Sequence, residues 1–155
     1  MPSRRELIQM TEDEQRRFLA AARTIILCSA GRDGVPHPMP MWYAVDDAGA
    51  VVMTTFAKSQ KIRNLEREPR VSLLVEDGET YAELRGLVLY GKAELEPDTE
   101  RVLDVLVRVS AKSTGAEIGD AAREGLRKTA SKRVAIRVVP DRIVSWDHRK
   151  LGGRY

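Results

Sequence analysis

Apolar residues fall in two rhythms along this chain, and the alternation between them outlines its elements. Phe18, Leu19 and Ala22 recur with helical spacing, and Thr11 followed by Glu14 has the spacing of a capping box, so a short helix is predicted over 11–22. Thr24–Ala30 is dense in β-branched and apolar residues and runs into the turn Gly31–Gly34, which reads as a strand entering a hairpin. The next strand, 35–46 (VPHPMPMWYAVD), carries Pro36, Pro38 and Pro40 on alternate residues. In an extended chain, residues two apart point their N–H groups to the same lateral side, so the three prolines strip donors from one edge. That strand is expected at the edge of a sheet or beside a gap.

Asp46–Gly49 turns the chain into a third strand, 50–56. A short helix follows, with Ser59 as its cap, Ile62 and Leu65 facing inward and Pro69 forcing its end. A fourth strand covers 70–77. After Gly78 comes a fifth, 81–96, whose internal Gly86 and Gly91 suggest a bulge or bend. Pro97 and Asp98 open a helix in which Val102, Val105, Leu106 and Val109 give the clearest amphipathic signal of the chain, and a weaker helix covers about 117–129. The sixth strand, 133–139, is broken at Pro140 and Asp141 and resumes over 142–146 before a short basic tail. Six strands with a few packed helices make an α+β, mainly β, barrel-like architecture. It forms a single domain over 1–155, with its core at about 8–148 and the tail at 149–155.

Composition narrows the function. With 155 residues, 43% of them hydrophobic and 32% charged, the chain has a soluble globular balance and room for one core. No apolar run approaches the ~18–20 residues of a membrane span, and MPSRRELIQM lacks the apolar stretch of a signal peptide, so a cytoplasmic location is expected. The lone Cys28 excludes an internal disulfide and a multi-cysteine zinc site, and mid-strand among apolar residues it reads as a core thiol. A net charge of +3 is mildly basic, short of the dense basic surface of a dedicated nucleic-acid binder, and a small-anion site fits it equally well; an aromatic content of 5% leaves few stacking platforms for nucleic acid. There is no GxSxG, P-loop, GxGxxG or CxxC motif, and His37 and His148, the only histidines, have no close ligand partners. No residue stands out as catalytic.

The strongest positive signal is 54–64, TTFAKSQKIRN. A strand ending in Thr54 and Thr55 feeds a helix start at Ser59, with Lys58 and Lys61 beside it. Unpaired N–H groups, hydroxyls and positive charge together suit a phosphate, and a solvated basic helix with a routine cap reads equally well from residue types alone. On the proline strand, Met39, Met41 and Tyr43 line one face with period two, and the unladdered backbone is free to meet a flat ring. At the end of the chain, Trp146, Leu151 and Tyr155 are apolar groups set among Arg149, Lys150 and Arg154.

Four stretches, PHPMPMWYAVD, TTFAKSQKIRNLEREPRVSLLVED, LYGKAELEPD and RIVSWDHRKLGG, resemble the pyridoxamine 5′-phosphate oxidase-like split β-barrel superfamily. Within it the chain looks most like the class B flavin/deazaflavin-dependent oxidoreductases, many of which use coenzyme F-420. The resemblance implies a homodimer with two cofactor sites at the interface. It sets the ring against Met39, Pro40, Met41 and Trp42. The phosphate falls on Thr54, Thr55, Lys58, Ser59 and Lys61 with Asn64 nearby, and the partner subunit closes the pocket near Trp146. The implied reaction is hydride transfer between the cofactor and a small electron-poor organic substrate. F-420 carries an acidic tail beyond its phosphate, to which Lys58, Lys61, Arg63, Arg149 and Lys150 are matched. FMN, which ends at the phosphate, is the alternative, as is a non-catalytic protein that binds F-420, FMN or heme.

Overall fold

The structure, a computed structural model, describes residues 1–153. Among these, seven strands form one antiparallel sheet: β1 (Thr24–Ala30), β2 (Pro36–Trp42), β3 (Ala44–Val45), β4 (Val51–Phe56), β5 (Arg70–Asp77), β6 (Arg85–Glu96) and β7 (Arg133–Asp147). Their order is β2-β1-β5-β6-β7-β4-β3. The seventh strand arises because the predicted 35–46 segment divides at Tyr43. β2 pairs with β1 at one end of the sheet and β3 pairs with β4 at the other, so one residue joins the two ends and the sheet curls into a split barrel.

The prolines explain why the barrel splits there. Pro36, Pro38 and Pro40 stand opposite Ala30, Cys28 and Ile26, and the β1–β2 ladder is kept by the residues between them. In an antiparallel pair, residues outside the bonded positions turn both N–H and C=O away from the partner. The free edge of β2 therefore offers the carbonyls of three prolines and no N–H until Trp42. β4 pairs with β3 only at Val51 and Val52, which leaves Met53–Phe56 without a ladder on that side. Two unladdered edges thus face each other below Tyr43.

Tyr43 is 1% exposed, and its hydroxyl donates to the Leu19 carbonyl oxygen. Inside the barrel Ile25, Leu27, Met53, Leu73, Leu87, Leu89 and Ile136 form the core, closed by Phe18 and Leu19 of α2 (Glu12–Ala21) and by Ile62 and Leu65 of α3 (Gln60–Arg67). The capping box of Thr11 and Glu14 is formed as predicted. A one-turn helix, α1 (Arg4–Leu7), precedes it, capped by Ser3. A second apolar cluster of Val102, Leu103, Ala130 and Ala135 seats α4 (Thr99–Thr114) and α5 (Asp120–Ala130) on β4 and β7. No described helix is long and apolar enough to cross a membrane.

Three further expectations are corrected. Residues Tyr81–Glu83 form a 3-10 turn, so the strand predicted over 81–96 starts only at Arg85. β7 runs unbroken through Pro140: Tyr90 pairs with Arg142 and Gly91 with Pro140, so Asp141 is accommodated as a bulge. Cys28 is half-buried and faces away from the core, because Ile25, Leu27 and Ser29 take the inward positions of β1. It belongs to an outer sheet face where register aligns Pro40, Ile26, Leu74, Val88 and Val144 in one apolar row.

Gly86 is needed for packing: a Cβ there would stand 2.4 Å from Trp146 Cζ2 and 2.8 Å from the Val75 carbonyl oxygen. Gly86→Ala is expected to lower stability by about 1–3 kcal/mol, the range for overpacking a filled site, measured by chemical denaturation against the wild type.

Candidate functional site

β4 carries Thr54 and Thr55 to the point where the chain leaves the sheet, and consecutive strand residues face opposite sides. Thr55 turns toward α3, where its hydroxyl donates to Ser59 Oγ at 3.5 Å. Thr54 turns toward Arg133, which the β4–β7 register sets opposite Phe56. Arg133 Nη1 donates to both the carbonyl oxygen and Oγ1 of Thr54, each at 3.3 Å, and its guanidinium carbon lies 4.5 Å from the centre of the exposed Phe56 ring. Its Nε is buried without a hydrogen-bond partner.

Lys61 stands in the first turn of α3, half-buried. Burial, and then the charge of Arg133, holds its ammonium below the ordinary lysine value, and burial likewise lowers Arg133. Neither has a carboxylate partner among the described residues. Arg85, Arg101, Arg137 and Arg149, by contrast, are each paired with an acid. Two partly buried cations that repel each other, with no acid between them among the described residues, can be neutralised by an anion from outside the chain. Ser59 has the extended N-cap conformation, but its hydroxyl caps no first-turn N–H, against expectation. Those amides and the positive end of the helix dipole remain for the same anion. Lys58 is exposed on the adjoining turn, where the Ala57 N–H donates to the Lys132 carbonyl oxygen at 3.0 Å.

The other predicted residues divide. Met39, Pro40, Met41 and Trp42 lie on β2, whose free edge and the unladdered end of β4 are the two edges left unpaired where the chain passes Tyr43. At the other end of β2, His37, Gln60 and Asn64 line a cavity of about 480 Å³ between α3 and the β1–β2 hairpin, and His37 Nδ1 is buried there without a partner. Asn64 is fully buried and its amide is already used, donating to Ser29 Oγ at 3.0 Å and accepting from Gln60 at 2.9 Å. Trp146 lies against Gly86 on the outer sheet face, away from the opening of its own chain. Arg149 makes a two-pronged contact with buried Asp147, at 2.6 and 2.9 Å, and Lys150 bonds Glu14 at 2.6 Å and the Gln9 carbonyl oxygen at 2.7 Å. The tail is thus folded onto its own α2. Arg154 and Tyr155 lie outside the described residues. No group of side chains that could hold a metal ion is present among the described residues.

Arg133 is the site residue that sequence reasoning missed. It lies 79 positions from Thr54, and only strand register brings the two together.

Comparison with known proteins bears on this geometry. The family model for pyridoxamine 5′-phosphate oxidase matches residues 11–147. No curated protein matches the sequence. Among solved structures, a conserved hypothetical protein of Mycobacterium tuberculosis is 44% identical with a TM-score of 0.91, over 99% of this chain and 95% of that one. An F420 reductase is 24% identical with a TM-score of 0.64, over 83% and 94% of the two chains. A FAD-binding protein from Mesorhizobium loti is 22% identical with a TM-score of 0.61, over 88% and 94%. The last two likenesses show the fold alone.

If Lys61 and Arg133 await an anion, inorganic phosphate should raise the melting temperature more than chloride at matched ionic strength. Lys61→Met and Arg133→Met should each weaken phosphate binding by roughly 1.5–3 kcal/mol, as for hydrogen bonds to charged groups. Without phosphate, Lys61→Met should melt no lower than the wild type, because it removes a desolvated charge. Differential scanning calorimetry in both buffers reads all three.

Proposed function

The chain belongs to the pyridoxamine 5′-phosphate oxidase family, and on that footing we propose that it is an F-420-dependent oxidoreductase acting on a small electron-poor organic substrate. The observation that carries this reading is the pair Lys61 and Arg133, desolvated and without an acid, beside an uncapped helix start. The residues fit the phosphate of such a cofactor: the buried Arg133 Nε lacks an acceptor, the Thr54 hydroxyl lies beside that guanidinium, and Thr55 and Ser59 bring hydroxyls to the start of α3 on the other face of β4.

Beyond the phosphate, the distribution of unpaired charge favours F-420 over FMN. Among the described residues Lys58 and Arg63 are exposed and form no ion pair, and neither do Lys128 of α5 and Lys132, which follows it. Together they make a basic margin suited to an acidic tail. Arg149 and Lys150, matched to that tail from sequence, are neutralised by Asp147 and Glu14, and Lys128 of α5 and Lys132 beyond its end are the cations in their place.

When bound, the cofactor supplies the hydride, and the protein supplies binding and orientation. Lys61 and Arg133 anchor one end. The β2 edge then meets the ring with the carbonyl oxygens of Pro36, Pro38 and Pro40, which accept from ligand N–H groups. The Trp42 N–H is the one donor on that edge between Pro36 and Trp42, and it is placed for a carbonyl or a developing anion.

A homodimer belongs to the same proposal. The outer row of Pro40, Ile26, Leu74, Val88 and Val144 is exposed at Pro40 and half-buried at the other four, and a second copy would bury the rest of it. Such an arrangement also gives Trp146, which is remote from its own opening, a route to the partner's.

Fluorescence titration is expected to show tighter binding of F-420 than of FMN, weakening with salt. Lys128→Ala with Lys132→Ala should weaken F-420 and leave FMN unchanged. Tighter binding of FMN would reassign the cofactor, and binding of neither would overturn the reading. Light scattering should give the mass of a dimer.

A further inference from the structure

The last turn of α4 grips the joint where β2 passes into β3. The Lys112 ammonium lies 3.6 Å from the centre of the Tyr43 ring, and its Nζ is buried with no hydrogen-bond partner. The next residue, Ser113, accepts from Arg23 Nη2 at 3.0 Å through its carbonyl oxygen, and the Arg23 guanidinium carbon lies 5.6 Å from the centre of the Trp42 ring. Neighbouring positions of one helix turn therefore hold neighbouring residues of the joint, one directly and one through Arg23. A buried ammonium with no acceptor is unfavourable unless something in the fold uses its charge, and the face of an aromatic ring is the one attractive surface it meets.

We propose that Lys112 is a positioning residue for β2: its positive charge on Tyr43 sets where the strand ends, and with it Met41 and Trp42. The contact stands on its own geometry. What it does for the cofactor rests on the function proposed above.

Burial pushes the Lys112 ammonium down to about 8, so its charge changes within an accessible range. Several charged groups on surrounding elements are committed elsewhere. Arg108, one turn earlier on α4, bonds Asp47, and Asp46 bonds Arg137 of β7. On α5, Arg123 bonds Asp104 and Arg127 bonds Glu124. On α2, Asp13 bonds Arg16 and Arg17. Arg133 of β7 bonds Thr54, and β3 and β4 carry no charged residue. Burial raises the Tyr43 hydroxyl far above the ordinary tyrosine value, so it does not titrate with Lys112.

The test is fluorine NMR of the full chain labelled with 5-fluorotryptophan, which reports Trp42 and Trp146 separately, between pH 6.5 and 10. The Trp42 signal of the wild type should move with a midpoint near 8 while Trp146 stays still. Lys112→Met should hold Trp42 at the high-pH position, and Lys112→Arg, which keeps its charge, near the low-pH one. A Trp42 signal with no midpoint near 8, or with the same midpoint in Lys112→Met, overturns the proposal. Should Lys112→Met fail to fold, wild type against Lys112→Arg decides alone: an unchanged midpoint in Lys112→Arg overturns it. A second arm measures F-420 affinity at pH 7 and pH 9. It should fall several-fold in the wild type and stay level in both variants. A Trp42 titration without cofactor binding at either pH would sink the functional reading and leave the positioning role standing. Binding whose pH dependence is the same in all three proteins would do the reverse.

Discussion

The closure of the barrel at Tyr43 is the constraint from which the rest follows. Two strands at opposite ends of the sheet are consecutive in the chain, so the sheet has to curl until one residue spans them. Burying that residue completely, with its hydroxyl bonded to Leu19, fixes α2 against the same point. Hydrogen bonding could in principle have zipped the remaining edges together. Three prolines on β2 prevent it, and the seam stays open along β2 and the end of β4.

The opening gathers what the surrounding structure leaves unpaired. Several charges elsewhere in the chain are matched in groups, as in the triads of Arg137 with Asp46 and Glu94 and of Arg127 with Glu100 and Glu124. At the end of β4 that matching stops. Lys61 and Arg133 are partly withdrawn from water, and no carboxylate among the described residues neutralises either. Desolvating like charges together is unfavourable in the free protein, and an anion that enters recovers the loss as affinity.

Much of this was legible in the sequence because it is local. Alternating prolines gave the free edge, Thr11 and Glu14 gave the first full helix, and the run of hydroxyls and lysines after β4 gave the turn into α3. What was not legible depends on register or on distant partners. Arg133 reads as the first residue of an apolar strand until β7 is laid beside β4. Nothing in the run Met41–Val45 marks Tyr43 as the place where one strand becomes two, because all five residues suit an extended chain equally well. Arg149 and Lys150 look available until Asp147 and Glu14 are found beside them. Cys28 has the composition of a core position, and only the alternation of β1 shows that it faces outward.

The prolines of β2 also decide what kind of molecule the opening admits. A foreign polypeptide that adds itself to a sheet needs donors and acceptors in alternation along the edge it joins. Here the acceptors are present at Pro36, Pro38 and Pro40 and the matching donors are missing. Strand exchange, edge-to-edge assembly and capture of an extended peptide are all frustrated at this rim. A small planar molecule, which asks for a few contacts of one polarity and no ladder, meets no such barrier. The same rim that keeps the barrel from sealing itself therefore also disfavours the addition of a foreign strand, whatever else the opening admits.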